Sequence, residues 1–175
     1  GFHGLAVPSV EAFATPLGEV TVETSGVAAA LALPQVQLLN SAHDQEHCLE
    51  VHLPFLQLVL EDFSLVPLVV GDATPGEVAE VMELLWDGPE TLLVVSSDLS
   101  HYQNYETARR MDGATSAAIE ALDKTAIAHD DACGRIPVNG LLALARRHGL
   151  QVETVDLRNS GDTAGPRREV VGYGS

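Results

Sequence analysis

A cluster of polar side chains follows a short apolar segment in the middle of the chain. Residues 96 to 102 (SSDLSHY) come directly after the run TLLVV. Asp98 and His101 are three residues apart, so their side chains can converge on one point, where the carboxylate would orient the imidazole and fix its tautomer. Loops that follow buried strands carry ligand-binding groups in α/β sheets. The alternative is a helix-capping turn, for which Ser and Asp are equally suited. A serine of this segment could act as a nucleophile, but the segment does not contain the GxSxG motif of serine hydrolases.

A second candidate is the cysteine of residues 131 to 137 (DACGRIP). Cys133 lies just before a predicted helix with Pro137 near its first turn. Helix N-terminal amides and the nearby Arg135 favour a thiolate, which can act as a nucleophile or as a soft metal ligand. The alternative is a small buried hydrophobic residue, as most free cysteines are.

A third cluster, residues 43 to 52 (HDQEHCLEVH), contains three histidines and three acids. On a helix, His47 and Glu50 share a face, and imidazole with carboxylate suits a divalent metal or an acid/base pair. The alternative is a polar helix start in which acids are favoured by the helix dipole. Residues 159 to 162 (NSGD) predict only a tight polar turn.

The elements that must position these groups alternate along the chain, which indicates a layered α/β protein. We predict one domain over residues 1 to 175, without internal repeats. The predicted strands are residues 15–23, 64–70, 91–96, 151–157 and 169–173. The predicted helices are residues 25–33, 45–61, 74–86, 105–122 and 137–148.

Composition excludes several classes of protein. The 175 residues hold 9 Lys and Arg against 25 Asp and Glu, a formal charge of −16, which opposes binding to nucleic acid or to anionic lipid. The longest uncharged apolar run, of about ten residues, is too short to span a membrane. Two cysteines do not make a disulfide scaffold and fit a reducing cytoplasm. We therefore expect a cytoplasmic protein.

Several stretches, taken together and in order, resemble the Memo family, whose bacterial members are called AmmeMemoRadiSam system protein B. They are GLAVPS and TPLGEV, EHCLEVHLPFLQ, VVSSDLSHY, CGRIPV, and NSGD followed by VVGYGS. The resemblance implies a layered α/β/α fold with a mixed, largely parallel sheet, related to the class III non-haem iron extradiol dioxygenases. It also implies a radical-SAM protein and an AMMECR-type protein as partners.

The same resemblance implies a pocket for iron or copper, built from two histidines and one cysteine. The cysteine ligand falls on Cys133, and a further histidine beside the metal falls on His101, with Asp98 next to it. We expect the pocket to be lined by five further residues: His47, Glu50, Ser97, Gly134 and Arg135. The family's two histidine ligands belong to motifs upstream of GLAVPS, so we expect this chain to lack the N-terminal part of the family. Iron or copper is expected in the complete site, and the alternative is that this chain binds no metal.

Four functions follow from these observations. The first is a metal-dependent redox or dioxygenase-type enzyme acting on an unknown small molecule, with His101 moving protons. The second is a non-catalytic adaptor that binds phosphotyrosine peptides, which the charge of −16 opposes. The third is a metal-free hydrolase or transferase with Cys133 as nucleophile and His101 as base. The fourth is a truncated chain without activity.

Overall fold

The computed structural model describes residues 1–44 and 46–175 of the chain. Their contacts group into two compact units, Gly1–Leu93 and Val94–Ser175. Both units combine helices with paired strands, which confirms the predicted α/β class. The single domain over residues 1 to 175 stays a prediction.

The described residues of the first unit form five strands and three α-helices. In chain order they are β1 (Leu5–Val7), β2 (Ala12–Thr15), β3 (Gly18–Thr21), α1 (Thr24–Leu31), β4 (Val36–Leu38), α2 (Leu53–Val59), β5 (Val69–Val70) and α3 (Pro75–Leu85). Strand β1 is the centre of a three-stranded sheet, parallel to β4 and antiparallel to β5. Strands β2 and β3 form an antiparallel hairpin.

Local sequence explains most of these boundaries. Helix α3 begins with a capping box, in which the Thr74 side chain accepts from the Glu77 N–H and the Glu77 carboxylate accepts from the Thr74 N–H. The helix predicted over residues 45–61 is shorter in the structure: α2 begins only at Leu53, with Pro54 in its first turn, where proline is tolerated. Gln45, where the predicted helix was to begin, lies outside the described residues.

The second unit holds three strands and two α-helices. In chain order they are β6 (His101–Gln103), α4 (Tyr105–Glu120), α5 (Arg135–Arg147), β7 (Leu157–Asn159) and β8 (Val170–Gly174). The sheet has the order β6-β8-β7 and both ladders are antiparallel. Helix α4 is capped by the Asn104 side chain, and α5 is followed by Gly149 at φ 64°, the left-handed position that glycine favours after a helix.

Several expectations about the sheets need correction. Of the strand predicted at residues 64 to 70 only Val69–Val70 form β5, and of the strand predicted at residues 151 to 157 only Leu157 belongs to one, β7. Residues 91 to 96, predicted as a buried strand, belong to no strand, and Leu92 and Val94 are 64% and 50% exposed. Among the described residues, one ladder is parallel and four are antiparallel, so a largely parallel sheet is not what they form. An apolar run predicts a buried strand only where neighbouring strands pair with it on both edges.

Candidate functional site

Two separate segments of the second unit carry the candidate site. Asp98 lies in the loop before β6, and His101 is the first residue of that strand. Cys133 lies two residues before the start of α5. The residues next to these groups anchor both segments, because Leu99 and Ala132 are buried in one apolar cluster with Leu142 of α5. Burial of the neighbours therefore leaves Asp98 and Cys133 at the edge of this cluster.

The three side chains meet at one point. A carboxylate oxygen of Asp98, a ring nitrogen of His101 and Sγ of Cys133 all lie within 4.8 Å of one another. The closest approach of the first two is 3.6 Å, between Oδ2 and Nε2. The side chains of His101 and Asp98 are 33% and 48% exposed, and Cys133 is exposed. The cluster is therefore open to a ligand from solution.

Backbone groups tie the two segments together at this point. The Cys133 N–H donates to the Asp98 carbonyl oxygen at 3.2 Å, and the Asp98 N–H donates to Cys133 Sγ, also at 3.2 Å. The Gly134 N–H donates to Ser97 Oγ at 2.9 Å, while that hydroxyl donates to the Asp98 carbonyl oxygen at 2.7 Å. The sulfur thus faces a backbone donor that would stabilise negative charge on it.

The close approach of the segments requires glycine at position 134. A Cβ there would lie 2.6 Å from the Ser97 Cβ and 2.7 Å from the Ser96 carbonyl oxygen. The backbone angles of Gly134, φ −87° and ψ 25°, are accessible to any residue. The lack of space for a Cβ, and not the backbone conformation, therefore explains why glycine is needed here. The expected lining residues Ser97 and Gly134 are both part of the contact.

Strand β6 is irregular beside the cluster. Its pairing with β8 shifts register between His101 and Gln103, and Tyr102 adopts φ 57°, a left-handed conformation that is rare for a bulky residue. The Tyr102 side chain is 77% exposed, and its ring lies 5.8 Å from the His101 ring. The bulge turns Tyr102 outward at the cost of local strain.

The remaining predicted residues are His47, Glu50 and Arg135. His47 and Glu50 belong to the first unit, where Nδ1 and Oε1 form an exposed ion pair at 2.6 Å. Arg135 is the first residue of α5, and its Nε is buried without a hydrogen-bond partner among the described residues. Within the second unit, the structure therefore brings Asp98, His101 and Cys133 together. Within the first unit, His47 and Glu50 form an ion pair with each other.

Part of the histidine-rich segment, residues 43 to 52, lines a cavity in the first unit. It has a volume of about 170 Å³ and is lined by His43, Cys48 and Glu50, among others. Burial raises the pKa of the Cys48 thiol to about 11 and lowers the pKa of His43, whose Nε2 lies 3.2 Å from the Ala6 carbonyl oxygen. Both shifts favour the neutral forms, so this cavity does not hold a reactive thiolate.

The chain is thus a mixed α/β protein with an exposed thiol, imidazole and carboxylate converging at one edge of its second unit. Within the described residues, no helix is both long and apolar enough to cross a bilayer. A family model described as "Memo-like protein" matches residues 2–175, and the chain belongs to the Memo family.

Curated relatives agree with this assignment. The chain is 36% identical to a MEMO1 family protein of Archaeoglobus fulgidus, over 98% of this chain and 69% of the relative. It is 37% identical to one of Aeropyrum pernix, over 91% of this chain and 61% of the relative. It is 31% identical to one of Methanobrevibacter smithii, over 92% and 62%. The chain thus spans about two thirds or less of the length of these relatives.

Proposed function

We propose that this chain carries part of a metal-linked pocket, with Cys133 as a ligand of iron or copper and with His101 and Asp98 beside the ion. The observation that carries the proposal is the convergence of three different donors within 4.8 Å. An ion held by Cys133 Sγ at about 2.3 Å would lie next to the Asp98 carboxylate and the His101 ring, because both donors are within 4.8 Å of the sulfur. The residues present therefore fit an ion bound to Cys133 with these two groups beside it.

The activity we propose for the site is redox or dioxygenase-type chemistry on a small molecule. Iron or copper, when bound, would supply a Lewis acid and a redox centre. With His101 beside the ion and not bound to it, its Nε2 would hold or release a proton, and the Asp98 carboxylate, whose Oδ2 lies 3.6 Å from that nitrogen, would orient the imidazole. The exposure of Cys133 and of Asp98 leaves room for a substrate beside these groups.

The fold type, the partners and the cellular location belong to the same proposal. We place the chain in the layered, extradiol dioxygenase-like fold, with a radical-SAM protein and an AMMECR-type protein as partners. We also propose a cytoplasmic location, which the two free thiols of Cys48 and Cys133 support, because a reducing compartment preserves them.

The geometry favours the metal-linked function over a metal-free Cys/His hydrolase. In a nucleophilic triad, the acid and the nucleophile face opposite nitrogens of the imidazole. Here a single ring nitrogen of His101 lies within 4.8 Å of both the carboxylate oxygen and the sulfur. A shared metal ion requires its donor atoms to converge on one point. A proton relay requires the acid and the nucleophile to face different nitrogens of the imidazole.

An anaerobic titration with Fe(II) and with Cu(I) tests the proposal. The unaltered chain should bind one ion, and Cys133→Ala should lose that binding. Cys48→Ala is the matched control, because it removes the other free thiol from the first unit and should bind as the unaltered chain does. Binding that survives Cys133→Ala, or no binding by the unaltered chain, would overturn the proposal for this chain.

A second arm separates the metal-linked function from the metal-free one. In the metal-free chain, iodoacetamide should alkylate Cys133 at similar rates with and without the His101→Ala change. Rapid alkylation that requires His101 would instead favour the hydrolase mechanism, in which the imidazole removes the thiol proton.

A further inference from the structure

Asp112 is a carboxyl group buried inside the second unit. It lies in α4 and is only 2% exposed, on the same helix face as the buried Ala108, Thr115 and Ala118. Burial raises the pKa of this carboxyl group, and a buried acid is costly unless hydrogen bonds compensate it. None of the ion pairs found among residues 1–44 and 46–175 includes Asp112. A buried carboxyl group among these small side chains therefore needs a hydrogen-bond donor to compensate it.

Its hydrogen bond goes to the loop that carries the candidate site. Asp112 Oδ1 accepts from the Ser100 N–H at 2.9 Å, and Ser100 is fully buried directly before His101. The neighbouring backbone groups are already bound to β8, since Leu99 donates to the Gly172 carbonyl oxygen and Gly172 donates to the Ser100 carbonyl oxygen, at 2.9 and 2.8 Å. The Ser100 N–H is left over from this ladder, and the carboxylate satisfies it.

The carboxyl group of Asp112 also lies against strand β8. A Cβ at Gly172 would overlap with the Asp112 carboxyl atoms, so the side chain packs directly against the backbone of β8. Asp112 thus fixes the loop from the helix side, while β8 fixes it through its own hydrogen bonds. Between these two attachments lies the short segment from Asp98 to His101.

We propose that Asp112 is a positioning residue of the candidate site, which holds the Ser100 N–H and thereby sets the positions of Asp98 and His101. This inference rests on the proposed metal-linked function, because positioning Asp98 and His101 matters only if these groups act at a metal. Outer residues that orient metal-site groups through hydrogen bonds typically change metal affinity by 10- to 100-fold when removed. The sequence analysis did not single out Asp112, although its spacing from Ala108 and Thr115 places it on the buried face.

Three variants of the whole chain separate positioning from general stability. Asp112→Ala removes the acceptor, Asp112→Asn keeps a carbonyl oxygen in its place, and Thr115→Ala truncates a neighbouring buried side chain that bonds only within the helix, to the Met111 carbonyl oxygen. If Asp112→Ala does not fold, Asp112→Leu removes the acceptor while keeping the volume. The readouts are amide hydrogen exchange at Ser100 in the metal-free chain and the affinity for Fe(II).

Loss of the acceptor should speed exchange at Ser100 by at least about tenfold and weaken Fe(II) binding by about tenfold or more. Asp112→Asn should restore both, and Thr115→Ala should change neither. Unchanged exchange at Ser100 in Asp112→Ala would overturn the inference. So would an affinity loss in Asp112→Asn with Ser100 still protected, because the effect would then come from charge.

The two proposals fail in different ways in this experiment. If the unaltered chain binds no Fe(II), the metal-linked function fails, and the inference fails with it as a statement about a metal site. If the unaltered chain binds Fe(II) and Asp112→Ala binds it equally well, only the positioning role of Asp112 fails. Exchange at Ser100 then still shows whether the carboxylate holds the loop.

Discussion

Gly134 offers the sharpest test of how the two site segments depend on each other. In Gly134→Ala the added Cβ would lie 2.6 Å from the Ser97 Cβ. Ordinary contacts between such carbon atoms begin at about 3.4 Å, so the segments must separate by roughly 0.8 Å, the difference between the two distances. Functional groups must be held to about 0.5 Å. The separation should therefore move Cys133 out of reach of Asp98 and His101.

The same displacement has a predictable cost in stability. Overpacking by one methylene group typically costs about 1–3 kcal/mol, and Gly134→Ala should lower the free energy of unfolding by that amount. Gly113→Ala is the matched control, because Gly113 lies inside α4 and a Cβ there meets nothing within 4 Å. That change should raise stability by about 1 kcal/mol, since alanine is the better helix former.

Urea unfolding and Fe(II) titration of both variants give the two quantities. We expect Gly134→Ala to be less stable and to bind Fe(II) at least about tenfold more weakly, and Gly113→Ala to be more stable with unchanged binding. A Gly134→Ala chain that matches the unaltered chain in stability would refute the reasoning. It would show that the segments around Ser97 and Cys133 can move apart without a loss of stability.

Three further predictions concern single groups. Tyr102→Asn should raise stability by about 0.5–1 kcal/mol in urea unfolding, because asparagine tolerates the left-handed conformation better and the lost ring is largely exposed; a destabilised variant would contradict the assigned strain. The Tyr105 hydroxyl lowers the pKa of Asp162, so this carboxylate stabilises the fold above its ordinary pKa and the contribution is lost as pH falls. Tyr105→Phe should therefore lower stability at about pH 6 and converge with the unaltered chain near about pH 2, and a gap that stays constant with pH would oppose the assignment. At pH 8, iodoacetamide should modify Cys133 well before Cys48, whose pKa is raised to about 11 by burial, and peptide mass spectrometry would detect the reverse order.

Capping and periodicity made the helices predictable. The helices predicted at residues 74–86 and 137–148 correspond to α3 and α5 within two residues at each end, with Thr74 as the N-cap of α3 and Gly149 directly after the C-cap of α5. The strands were less predictable, because a strand depends on its partners. Residues 91 to 96 are as apolar as a buried strand, yet no ladder forms there. The strand predicted at residues 15 to 23 contains β3, because its alternating pattern is local to the sequence, whereas its hairpin partner β2 was not predicted.

The site was predictable only within each segment. The spacing of Asp98 and His101 implies that the two side chains can approach each other, and they lie 3.6 Å apart. Nothing in the spacing joins Cys133 to them across 35 residues, and only the resemblance to the Memo family connected the segments. Asp112 was missed because a single acid on a helix is ordinarily solvent-exposed. The functional roles of these residues stay predictions.

The geometry separates the residues that build the site from those that would perform chemistry. Asp98 contacts Cys133 through its backbone, by accepting from one N–H and by donating its own to the sulfur, and those contacts do not require its carboxylate. The carboxylate is free to act on His101. A side-chain change at Asp98 can therefore alter chemistry while the two segments stay joined. Changes at Gly134 or Ser97 alter the contact between the two segments, and so they affect all three donors of the site together.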